Sequence, residues 1–284
     1  MAPLVGPHDE RYEDFYSSWT RTQGALLKEL EEAVGSDMKE IDLFQQVKKL
    51  SEHYETYYKA KEMASHQDIL QTVTPDWRSP LEKAFLWLGG WRPSLAFQLV
   101  YALAGQQIEA ELAEFLNGVD TPTFASLTSS QLSQISELQT ATNKQEENLS
   151  NEMAVLQQSF SDQPLLSLAQ AHCLVQAEEG KNGSQTSSSD EDDAAHGGDD
   201  HIGGGGDNGG SDGDNDDGLG NAVQEKLVSL QEIATQADAL RLTTLKKVLD
   251  VLDTYQKAQY LIAAGKLQVA LRDIGGKLNG TTGS

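Results

Sequence analysis

Thirteen glycines and eleven acidic residues against a single base, Lys181, fill the stretch Gly180–Gly220, and this segment dictates how the rest of the chain can fold. Its only large apolar side chains are Ile202 and Leu219, so it cannot bury enough surface to offset the entropy of ordering it. Glycine keeps it flexible, and repulsion among its aspartates extends it. It reads as a disordered acidic linker over 179–221. Any folded body must be assembled from the sequence on either side of it.

On both sides the apolar residues are spaced for helices. Tyr12, Phe15, Tyr16, Trp19, Leu26, Leu27 and Leu30 recur at three, four and seven and place one stripe along a helix that Gly35-Ser36-Asp37 ends. A second stripe runs through Ile41, Phe44, Val47, Leu50, Tyr54, Tyr57 and Tyr58 towards Leu70. Pro75 and Pro80 enclose an irregular connection, and Pro80 suits the first turn of a short helix, with Leu81, Ala84, Phe85 and Leu88 expected on its buried side. Gly89-Gly90 stops that helix and Pro93 opens the next, with Gly105 expected as a break. Thr128-Ser129-Ser130-Gln131 has the form of a capping box. It precedes a long seam from Leu132 through Ile135, Leu138, Thr142, Leu149, Met153 and Leu156 to Phe160. After Pro164 a shorter helix is expected through Leu165–Leu174. Beyond the acidic linker, Val223 to Leu252 forms a second long stripe, continued from Tyr260 to Ile274 with a kink expected at Gly265.

No period-two strand pattern is evident. The expected fold class is all-α, a multi-helix bundle with two long amphipathic helices and a disordered acidic Gly/Asp-rich insert. The simplest organisation is one helical domain made of 11–178 and 222–276 together, with flexible ends at 1–10 and 277–284.

The formal net charge of the 284-residue chain is −23. So acidic a chain has no general attraction for phosphate backbones and is repelled by anionic membrane surfaces. No apolar run approaches the roughly 20 residues of a spanning helix, and the first residues lack the pattern of a signal peptide. A single cysteine, Cys173, cannot form an internal disulfide and fits a reducing compartment. A nuclear or cytoplasmic location is expected.

Several segments resemble a known family. Trp77-Arg78-Ser79-Pro80-Leu81-Glu82, followed by Phe85-Leu86-Trp87-Leu88-Gly89-Gly90-Trp91-Arg92-Pro93-Ser94, resembles the signature of the plant delay-of-germination domain, which also forms the C-terminal part of the TGA-type bZIP transcription factors. Residues 127–139 with Glu146 through Met153 look like the family's long Gln- and Glu-rich helix, and 237–245 resembles its C-terminal helix pair. The resemblance covers nearly the whole chain outside the first ten residues and the acidic insert. It implies a plant regulatory protein acting through protein partners in processes such as seed dormancy, defence transcription or pollen development. The TGA factors carry a basic region and zipper before this domain. Here Phe15 lies close to the start, so direct DNA binding is not expected. Some members bind haem through two histidines near the C-terminal end. Here 266–272 holds none and no histidine follows His201, so no cofactor is expected.

The residues that stand out for function are Trp77, Pro80, Leu86, Trp87, Gly89, Gly90, Trp91, Arg92 and Pro93. Two Trp rings and an Arg beside a tight turn have the composition of a binding hot spot. The favoured alternative is structural, with Gly89-Gly90 allowing close helix packing and the rings filling the core. Both readings hold if one ring is buried and the other exposed. Tyr54, Tyr57 and Tyr58 beside Lys59 and Lys61 have the composition of a nucleic-acid stacking surface, yet at helical spacing an amphipathic core stripe is the better reading. Asp212, Asp214 and Asp216 have calcium-loop spacing, but Asp217 and Val223 stand where such a loop needs Gly and Glu. His196 and His201 show no zinc spacing, and no metal site is expected. His172 and Cys173 are helix neighbours and do not face each other. No nucleophile, phosphate-loop or dinucleotide motif occurs, and no enzyme activity is expected. The leading expectation is a protein-interaction module, compatible with a homodimer. The alternatives are a small-molecule sensor on the same fold or, as for the TGA factors, DNA binding.

Overall fold

A computed structural model describes residues 12–36, 39–117, 127–162, 165–173 and 212–281. In chain order these form α1 (Tyr12–Gly35), α2 (Glu40–Gln67), α3 (Ile69–Val73), α4 (Pro80–Ala84), α5 (Leu95–Asn117), α6 (Ser129–Gln158), a 3₁₀ turn (Ser159–Ser161), α7 (165–173), α8 (Asp212–Val251) and α9 (Thr254–Thr281). Among the described residues there is no strand, only an isolated antiparallel bridge between Trp87 and Gly90. The chain is all-α.

Local chemistry sets the helix ends. α2 stops at Asp68, whose carboxylate accepts from the Gln71 amide and caps α3. Ser79 and Glu82 form a reciprocal capping box with Pro80 at the first turn of α4. Thr128 and Gln131 do the same ahead of α6, as the spacing predicts. A third reciprocal pair opens α9: the Gln256 amide donates to Asp253 Oδ1 at 2.8 Å, and the Asp253 amide donates to Gln256 Oε1 at 3.0 Å. Gln131 Nε2 also donates to the Val251 carbonyl and to Gln256 Oε1, tying the start of α6 to the α8–α9 corner.

Two compact units are present, Met1–Met153 with Leu230–Ser284, and Ala154–Ser229. In the first, α9 packs against α1, α2, α4 and α5. Its core joins Leu27 and Leu30 of α1, Leu43, Val47 and Leu50 of α2, and Phe97 and Val100 of α5. Ile135 of α6, Val248 and Leu249 of α8, and Ala258, Leu261 and Ile262 of α9 complete it. Phe97, Leu30, Leu50, Ile135 and Leu261 are fully buried, each contributing on the order of 1.5–3 kcal/mol. In the second unit Leu156 is buried and Leu168 lies against Gly218.

Some local expectations are corrected. On α4 the buried residue is Glu82, while Ala84 and Phe85 are exposed, because the capping box turns the Glu82 carboxylate inward to Ser79. α5 continues through Gly105, and α9 through Gly265. Gly265 serves a close helix approach: a Cβ there would stand 2.5 Å from Leu27 Cδ2. α8 begins at Asp212, upstream of the first apolar repeat at Val223. The rest of the acidic segment up to Ser211, with His196 and His201, lies outside the described residues, as do the first eleven positions and the last three.

Candidate functional site

The segment between α4 and α5 is held from below by α8. Trp87 and Gly90 exchange backbone hydrogen bonds, the Trp87 amide to the Gly90 carbonyl at 2.7 Å and the Gly90 amide to the Trp87 carbonyl at 3.1 Å. Between them Leu88 and Gly89 both have positive φ, 47° and 73°, the backbone of a type I′ turn. Glycine takes this conformation without cost, whereas Leu88 carries backbone strain.

The turn's carbonyls converge on buried cations. Arg241 Nε donates to the Trp91 carbonyl at 2.7 Å, and its Nη2 donates to the carbonyls of Trp87 and Leu88. Its Nη1 reaches Asp238 Oδ1 at 2.5 Å. Lys61, on α2 and only 1% exposed, donates to the Gly89 carbonyl at 2.9 Å and pairs with both oxygens of Asp238 at 2.9 Å. Burial pushes the Lys61 ammonium down to about 8, with Arg241 and Arg78 acting in the same direction and Asp238 opposing them. One carboxylate thus binds two cations, and these collect the carbonyls of a turn that has no helix or sheet to receive them.

Two guanidinium groups stand near the Trp87 ring, with Arg241 Cζ at 5.3 Å and Arg92 Cζ at 5.6 Å from its centre. Its Nε1 donates to Ser150 Oγ at 3.0 Å. Arg92, itself exposed, also approaches buried Glu146 at 3.7 Å. Glu146 in turn accepts from the Ser94 amide at 2.5 Å, placing a carboxylate at the N-terminus of α5. The segment thereby fastens α6 to α5.

Of the residues singled out from sequence, Trp87, Gly89, Gly90, Trp91, Arg92 and Pro93 come together here. Gly89, Gly90 and Pro93 are buried, and both Trp rings are half-buried. Trp77 lies apart in an aromatic cluster with Tyr12 and Tyr16. Pro80 is exposed at the first turn of α4, and Leu86 is half-buried. Sequence reasoning missed Lys61, Asp238 and Arg241. Their one signal was a charged triplet on apolar stripes, at positions where a charge must find partners to be buried. Tyr54, Tyr57 and Tyr58 are half-buried on the inner side of α2, where burial raises all three hydroxyl pKa values, Tyr54 to about 12.

Beside this cluster an open, mainly apolar cleft of about 570 Å³ lies between α5 and α9, walled by Trp91, Leu99, Leu245, Tyr260, Leu261 and Leu271. Phe85, Leu95 and Leu267 also line it and are 61%, 48% and 53% exposed. Large apolar side chains are thus left in solvent around a concavity. Among the described residues no group of three His, Cys, Asp or Glu side chains is placed to hold a metal ion, and no helix is long and apolar enough to cross a membrane.

The fold and site define an all-helical scaffold built on a buried ion cluster and an apolar cleft. A family model described as seed dormancy control (DOG1) matches residues 26–102, which contain the whole Trp77–Pro93 segment. The chain is 27% identical over 285 residues to Protein DOG1-like 4 of Arabidopsis thaliana, covering 100% of both. It is 26% identical over 269 residues to Protein DOG1-like 3 of the same plant, covering 92% of this chain and 82% of that one. It is also 28% identical over 248 residues to Transcription factor TGAL1 of Oryza sativa subsp. japonica, covering 87% of this chain and 41% of that factor. The chain is thus similar to DOG1-like proteins along nearly its whole length and to TGA transcription factors over part of theirs.

Proposed function

We propose that the chain is a non-enzymatic plant regulatory protein whose helical body is an interaction module, with the cleft between α5 and α9 receiving an apolar helical segment of a protein partner. The observation that carries this reading is the exposure of Phe85, Leu95 and Leu267 around a preformed apolar concavity, the arrangement used to bind the apolar face of an amphipathic helix. Relatives that are transcription factors support a partner in transcription regulation and a nuclear location. The acidic chain gives no support to direct DNA contact.

The test is recovery of partners from plant extract by affinity purification with the full chain and two cleft variants, Leu267→Asp and Trp91→Ala, each first checked for an unchanged circular dichroism spectrum. Loss of the same partners from both variants is expected. Recovery identical to that of the parent chain would remove the cleft from the interface.

A second reading has its own observation in the cleft's size and apolar walls, which suit a drug-sized apolar molecule. Native mass spectrometry of the purified chain separates the two, since a reproducible added mass lost in Leu267→Asp favours a small-molecule sensor.

A further inference from the structure

Behind the apolar cleft lies a second, much smaller cavity of about 70 Å³, lined among others by Lys61, Arg78, Arg241, Asp238, Glu82 and Tyr58. Its walls hold three cations against two carboxylates. An uncompensated charge in the interior is costly, and the two arginines cannot shed theirs. Lys61 holds its charge as well. Three acceptor oxygens, of Gly89 and of the Asp238 carboxylate, stand 2.9 Å from its Nζ, a set that favours the ammonium form at neutral pH. One donor is left over: Arg78 Nε is buried with no hydrogen-bond partner among the described residues. The cavity has room for about two waters, or for one small ion.

We propose that this cavity is a binding site for a small monovalent anion of chloride size, which neutralises the excess positive charge and accepts the free Arg78 donor. Tyr58 lines both this cavity and the open cleft, so the two adjoin. The anion accepts from Arg78, in the segment before α4, and is attracted by the charges of Lys61 on α2 and Arg241 on α8. Anion occupancy therefore stabilises the folded state against unfolding.

The experiment compares thermal unfolding of the full chain in sodium chloride and in sodium gluconate at equal ionic strength, gluconate being too large to enter. A saturable rise in chloride is expected, on the order of 3–6 °C when chloride reaches about ten times its dissociation constant. Arg78→Met removes one cation and is expected to abolish the difference, while Arg78→Lys retains it. Lys61→Met is the second neutralising variant, and should either of the two fail to fold, the other decides. Crystals soaked in bromide should show an anomalous peak between Lys61 and Arg78. Equal melting in the two salts, an unchanged chloride response in the neutralising variants, or bromide-insensitive density in the cavity overturns the proposal.

Discussion

Arg241 sits beneath the turn that Trp87 opens, donating a hydrogen bond to the Trp87 carbonyl while its Cζ stands 5.3 Å from the centre of the Trp87 ring. One guanidinium thus fixes both the backbone and the side chain at this turn. The fork geometry is essential, because the Nε and Nη2 groups reach the carbonyls of Trp91, Trp87 and Leu88 while Nη1 holds Asp238. Arg241→Met should destabilise the fold by about 3–5 kcal/mol, since it strands the carbonyls of Trp91 and Leu88 and half of an ion cluster. Arg241→Lys keeps the charge without the planar fork and should recover only part of that loss. Urea unfolding checks both. Full stability in Arg241→Lys would mean that charge, and not carbonyl collection, is what the position supplies.

Gly90 is the contact surface of the same guanidinium. A Cβ there would stand 2.7 Å from both Arg241 Cζ and Nε, and Gly90 lies outside the positive-φ positions, so crowding sets the cost of substitution. Gly90→Ala is expected to lose about 1–3 kcal/mol. In an Arg241→Met background, where the obstructing group is replaced by a flexible side chain, the same substitution should cost much less. Equal costs in the two backgrounds would break the assignment.

The helices could be read in the sequence because each rests on a period of apolar residues that recurs over many turns. The Thr128–Gln131 cap was equally plain. The Asp253–Gln256 cap was overlooked, since it falls inside one apparent apolar stripe and only the hydrogen bonds reveal a corner between α8 and α9. The site was half legible. Gly89, Gly90 and the Trp rings announce a tight turn, but Lys61 and Asp238 lie far apart in sequence, and nothing local says that a lysine on one helix is buried against an aspartate on another. Gly265 was misread for a related reason, because a glycine that permits a kink and one that permits close contact look alike until the neighbour is known.

Lys61 should leave a mark on the pH dependence of stability. Its folded-state pKa is depressed from 10.5 to about 8, by burial first and by Arg241 and Arg78 after it, against the pull of Asp238. Between those two values the unfolded chain carries a proton that the folded chain has lost, so the Lys61 contribution makes stability rise with pH across this window. Below about pH 8 both states are protonated and the contribution is flat. The buried tyrosines act in the opposite sense above about pH 10, where the unfolded hydroxyls ionise first. The clean comparison is therefore the difference between the parent chain and Lys61→Met in urea unfolding from pH 7 to pH 9.5, in gluconate buffer. A positive slope above pH 8 in the parent, missing from the variant, is expected. Parallel profiles would show that Lys61 titrates alike in both states.

Gly265 of α9 permits a close approach to Leu27 of α1. A Cβ at 265 would fall 2.5 Å from Leu27 Cδ2 and 3.0 Å from its Cγ. Leu27 is 6% exposed and packed in the main core, so it has little space into which to retreat. Alanine normally stabilises a helix interior relative to glycine by about 1 kcal/mol. Here overpacking of about 1–3 kcal/mol should outweigh that gain, so Gly265→Ala is expected to destabilise the protein. The sign of the coupling is the sharper test. Leu27→Ala alone should cost about 2–5 kcal/mol through the cavity it leaves, and the alanine methyl at 265 would enter that same space. The double variant should therefore be more stable than the sum of the single losses by at least about 1 kcal/mol. Strict additivity in chemical denaturation would mean that the two helices separate freely at this crossing and that Gly265 is not what brings them together.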